Sequence, residues 1–161
     1  MTANNLYALL VPLLLAKCGG APVNRKEVQF PPYPAGVESV SGNLVQDTVG
    51  GTDYVIDWVH TPASPQLWFG RFIARDSLGH PSWRLVDTLT VPDYDSTRTL
   101  IIAQCTLNGH FDPELIALVV YQDAESLHVV LSAWRADRRS ERFKPVPTTG
   151  IACANEGYGA D

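Results

Sequence analysis

Leu115-Ile116-Ala117-Leu118-Val119-Val120-Tyr121 is apolar at every position. A strand with one wet face alternates apolar and polar residues, whereas this run offers both faces to an apolar environment. Its β-branched content and its shortness favour a strand over a helix. Thr99 to Cys105 (T-L-I-I-A-Q-C) reads the same way, and Asn108-Gly109 and Asp112-Pro113 supply turn pairs between the two. These runs predict strands sandwiched between other layers.

Outward from them, the chain reads as short strands and turns. Gln66 to Asp76 and Ser82 to Val91 flank Ser77-Leu78-Gly79-His80-Pro81, the clearest hairpin in the sequence. Tyr54 to Thr61 alternates, with Tyr54, Ile56 and Trp58 on one side and Val55, Asp57 and Val59 on the other. Leu44 to Thr48 precedes it across a glycine turn, a further hairpin. A last hairpin runs from Ala133–Asp137 through Arg138–Ser140 to Arg142–Val146. Between these, Leu127, Val130, Leu131 and Trp134 fall at helical spacing, and Asp123 is a suitable cap. A short helix starting at Ala124 and giving way to a strand near Ala133 is therefore expected. Trp58, Trp68, Trp83 and Trp134 each lie in a strand-like segment and are assigned to the core, with exposure of one or two of them as anchors for a partner as the alternative. The predicted fold is mostly β, an antiparallel meander or sandwich with one or two short helices; a mixed α+β sheet is the alternative.

With 17 acidic and 12 basic side chains the formal charge is −5, which excludes a sequence-independent nucleic-acid binder, because that function needs a basic field. At 161 residues the chain holds one domain with a substantial core. The apolar run Leu6 to Ala16 falls well short of the roughly 20 residues that span a bilayer, and Pro12 interrupts it. It has the length of the apolar region of an export signal.

Leu15-Ala16 followed by Cys18-Gly19-Gly20-Ala21 resembles the leader of bacterial lipoproteins. The resemblance covers only the first twenty or so residues. It implies that Cys18 is acylated, becomes the first mature residue and anchors the chain to a membrane, most naturally the outer membrane with the domain facing the periplasm. Lys17 departs from the pattern, since the family has a small residue there. Cleavage after Gly19-Gly20-Ala21 by an ordinary signal peptidase is the competing reading. The expected organisation is a leader over 1–18, a Pro-rich tether over 19–36 containing Pro31, Pro32 and Pro34, and a single β-rich domain over 37–161.

Export leaves Cys105 and Cys153 as an even pair for a disulfide, which on the chain-entropy model contributes about 4 kcal/mol. No Cys/His spacing indicates a metal, and no phosphate loop or nucleophile elbow is present, so no cofactor, metal or catalytic residue is assigned. Arg135, Arg138, Arg139, Arg142 and Lys144 crowd the last hairpin of an otherwise acidic protein. They are read as a partner-binding surface, suited to an acidic protein, a phosphate-bearing headgroup or an anionic membrane, with Asp137 and Glu141 offsetting part of the charge. Glu156 and Tyr158, in the glycine-punctuated tail after Cys153, are the other partner-binding candidates.

The function expected is non-catalytic binding at the envelope, most concretely by an inhibitor or immunity protein that neutralises a toxin. The alternatives are an envelope-assembly lipoprotein and a small hydrolase using Glu156, or Asp112 with His110.

Overall fold

The computed structural model describes residues 28–46, 53–92, 94–95 and 97–159. Among these residues thirteen strands form three antiparallel sheets, and no helix occurs. The first sheet has the order β1-β5-β4-β3-β2, from β1 (Gln29–Phe30), β2 (Glu38–Leu44), β3 (Tyr54–His60), β4 (Pro65–Arg75) and β5 (Pro81–Thr90). The second has the order β12-β11-β9-β6, from β6 (Arg98–Ile102), β9 (Leu115–Val120), β11 (Val130–Asp137) and β12 (Arg142–Val146). The third has the order β10-β13-β7-β8, from β7 (Cys105–Leu107), β8 (His110–Asp112), β10 (Ser126–Leu127) and β13 (Ile151–Ala154).

Strand β9 explains why these sheets stack. Ile116 and Leu118 enter the core shared with Ile56, Trp58, Leu67 and Phe69 of the first sheet. Leu115, Ala117 and Val119, on its opposite face, pack with Cys105, Leu127, Ile151 and Cys153 of the third. The second sheet is thus the middle layer, which is what a strand apolar on both faces requires. All four tryptophans are buried, Trp58 and Trp134 between the first two sheets, Trp68 and Trp83 on the outer face of the first. Cys105 and Cys153 stand opposite each other on β7 and β13 and form a disulfide.

The expected helix does not form. From Ser126 the chain makes β10, then enters β11 through a bulge between Val130 and Ser132. The apolar residues at helical spacing serve different surroundings: Leu127 and Val130 pack on the third sheet, Trp134 on the first, and Leu131 is exposed. A bulge breaks period-two alternation, and here that produces a false 3.6-residue signal.

The expected tether also differs, because residues 28–37 belong to the domain. β1 pairs with β5 at one edge of the first sheet, and the chain then crosses the sheet's outer face to β2 at the other edge. Phe30 is buried under this strap and meets Trp68 edge to face at 5.4 Å; Tyr33 packs on both rings. The Tyr33 hydroxyl donates to Asp57 Oδ2, and Ser39 Oγ donates to Asp57 Oδ1 at 2.8 Å.

Asp57 is buried with no cation in contact among the described residues. Burial raises its pKa, although the two hydroxyl bonds pull the other way, and burial together with the Asp57 bond pushes Tyr33 up to about 12. An acid whose folded pKa is raised favours the fold below its unfolded value, and that contribution is lost as pH rises through the folded value. Asp57→Asn, which can still bond both hydroxyls, is therefore expected to raise the thermal midpoint at pH 7, the gain vanishing below about pH 4. Melting both proteins across pH tests this; a penalty for Asp57→Asn that is equal at every pH would show that ionisation is irrelevant.

Candidate functional site

The arginines singled out in the sequence are largely occupied by carboxylates from distant strands. Arg135 bonds Asp112 and, at 3.2 Å, Glu114. Arg138 Nε meets the other oxygen of Glu114 at 2.6 Å. Burial opposes the Arg135 charge, but the Asp112 and Glu114 contacts outweigh it and the net pKa is raised. Lys144 pairs with Asp137 and, with the Ser140 amide, holds that carboxyl down to about 2. Arg142 Nη1 reaches the buried Asp87 at 3.3 Å, while its side chain remains 59% exposed. Arg139 is exposed on the turn. Only part of the hairpin's charge is left to face solvent.

Glu156 and Tyr158 are exposed, but the fold places them elsewhere. Asn155 Nδ2 donates to the carbonyls of Gln122 and Ala124, past the C-terminal end of β9, whereas Arg135 and Arg138 hold Glu114 just before its N-terminal end. The length of β9 separates them, about 20 Å. The two halves of the expected partner surface are therefore not one surface. His110 is exposed and Asp112 is committed to Arg135 and to the Glu114 amide. Cys18 lies outside the described residues.

What the fold does assemble is at the end of the first sheet where β4 and β5 turn. Tyr54, the first residue of β3, pairs with Arg71, and β1 pairs with β5 as far as Trp83, opposite Phe72; beyond Phe72, β4 and β5 continue as a two-stranded projection of about 10 Å. Its tip is tightly fixed. Asp76 Oδ1 accepts from the amides of Leu78 (2.8 Å) and His80 (2.9 Å), and Asp76 Oδ2 lies 3.1 Å from His80 Nδ1. The His80 bonds hold the Asp76 carboxyl below its ordinary pKa. Arg75 Nη1 donates to the Gly79 carbonyl at 2.7 Å, and Gly79 takes φ +87°, which suits glycine. Leu78 is held 80% exposed at the apex.

Beside this projection is a cleft of about 360 Å³, walled by Arg84, Leu85 and Val86 of β5 and by Ser140, Glu141 and Arg142 of the β11–β12 turn. Arg84 stands directly across from Arg71 in the β4–β5 ladder. Glu141 meets Arg71 at 2.9 Å and accepts from the Tyr54 hydroxyl at 3.2 Å; burial and the Glu141 charge push that phenol up. Glu141 has φ +54°, unusual for a residue with a side chain. Of this site the sequence reading finds Arg142 alone. Arg71, Arg84 and Leu78 lie inside the best-recognised hairpin, and their only signal is a leucine at a turn position that usually takes polar residues. The sequence matches no protein family model, no curated protein and no solved structure.

Proposed function

We propose that this chain is an exported, non-catalytic binding protein of the bacterial envelope, anchored through Cys18, and most concretely an inhibitor or immunity protein that neutralises a toxin by direct contact. The Leu15–Ala21 stretch supports the anchor, and a buried disulfide supports an oxidising compartment. The observation that carries the binding role is the β4–β5 tip. A single exposed leucine is ordinary on a protein surface. Leu78 differs in being clamped at the apex of a projection by hydrogen bonds on both sides of it. The turn backbone that carries the side chain is fixed in advance, so docking orders only the leucine's own rotamers and costs less than ordering a mobile loop.

The test uses the chain from Gly19, without its anchor, as immobilised bait against an envelope extract. One stoichiometric partner is expected, and Leu78→Asp is expected to weaken it by about 2 kcal/mol, roughly 30-fold, with an unchanged thermal midpoint. Absence of a partner, or equal capture by the Leu78→Asp variant, would sink this reading.

A further inference from the structure

We propose that the cleft between β5 and the β11–β12 turn binds a tetrahedral oxyanion, with a phosphate monoester as the ligand class, held between the guanidiniums of Arg84 and Arg142. This is independent of any protein partner. Arg71 and Arg84 are directly opposed on neighbouring strands, a like-charge arrangement that disfavours the ladder unless something offsets it. Glu141 offsets Arg71 at 2.9 Å. Arg84 has no carboxylate partner among the described residues, although Glu141 lines the same cleft. On the opposite wall, Asp87 engages one terminal nitrogen of Arg142 at 3.3 Å, and the Arg142 side chain remains 59% exposed. The fold thus positions two arginines across a concave space and leaves Arg84 without a carboxylate partner among the described residues.

The choice of anion follows from shape. Guanidinium forks bind oxyanions bidentately, and two forks on facing walls need a group whose oxygens diverge, as a phosphate's do and a planar carboxylate's do not. The cleft is larger than a phosphate ion and leaves room for an esterified group. The left-handed backbone at Glu141 turns that carboxylate onto Arg71 and Tyr54 and sets Ser140 and Arg142 on either side of it.

The test is a backbone-amide NMR titration of the mature chain with inorganic phosphate, against chloride at equal ionic strength. Saturable shifts confined to Arg84–Val86 and Ser140–Arg142 are expected. Arg84→Gln should weaken binding about tenfold or more, since a charge-assisted pair is lost. It should remain folded with an equal or higher midpoint, because it also relieves the Arg71 opposition. Arg75→Gln, on the projection, should leave phosphate binding unchanged. Shifts no larger than with chloride, or binding unaffected by Arg84→Gln, would overturn the site. If phosphate binds, glycerol 3-phosphate and phosphatidic-acid vesicles identify the source: Arg84-dependent vesicle binding assigns it to a membrane lipid, and binding of the soluble ester alone to a free metabolite.

Discussion

Reduction of the Cys105–Cys153 disulfide is expected to lower the thermal midpoint by about 10 °C or more. The bond joins residues 48 apart in sequence, and constraining a loop of that length in the unfolded chain contributes about 4 kcal/mol. For a domain of this size each kcal/mol shifts the midpoint by a few degrees. Reduction is a cleaner test than substitution because both thiols keep their volume in the core, where the two residues are 0% and 2% exposed. The damage should be uneven. The third sheet is made of strands of two to four residues, and it covers Leu115, Ala117 and Val119 of β9. Its amides should exchange faster on reduction, and those of β3 and β4 should change less. An unchanged midpoint after reduction verified by thiol alkylation would show that the bond adds nothing to stability and would remove its support for an oxidising compartment.

The parts of this fold that are legible in the sequence are those with local causes. The β4–β5 hairpin is visible because Ser77-Leu78-Gly79-His80 sits between two long strand-like segments rich in aromatic and β-branched residues. Asn108-Gly109 closes β7 onto β8 as a two-residue turn with both residues at positive φ, the geometry that this dipeptide favours. Leu115 to Val120 shows its two-sided burial directly. The failures have non-local causes. A charge count along 135–144 sees Asp137 and Glu141, but Asp112, Glu114 and Asp87 come from β8, the β8–β9 turn and β5. Nothing near Arg135 announces them. The cleft is likewise built from β5 and a turn more than fifty residues later.

The Pro-rich segment is the most consequential of these failures, and it carries the second large expected effect. Proline content alone reads as a spacer, yet Phe30 is 1% exposed. Phe30→Ala is expected to cost about 3–5 kcal/mol, the range for deleting a buried aromatic side chain. The reason is specific to its seat. A Cβ added at Gly70 would lie 2.6 Å from Phe30 Cζ, 2.8 Å from Val55 Cγ1 and 3.0 Å from Trp83 Cβ, so the glycine makes the hollow that the ring tip fills. Gly70→Ala should therefore destabilise by about 1–3 kcal/mol as an overpacked core position. The two substitutions should also be coupled: in a Phe30→Ala background the new methyl loses its closest clash, and the double variant should be more stable than the summed single effects by about 1 kcal/mol. Val55 still crowds the methyl, so the coupling is partial. Urea unfolding of the four proteins measures it. Additivity within about 0.5 kcal/mol would mean that ring and glycine do not meet in solution. A Phe30→Ala effect below that size would return residues 28–36 to the role of a tether and leave Trp68 and Trp83 without their cover. The strap would then have no claim to be part of the domain, and the Asp57 titration, which depends on Tyr33 lying over it, should fail in the same protein.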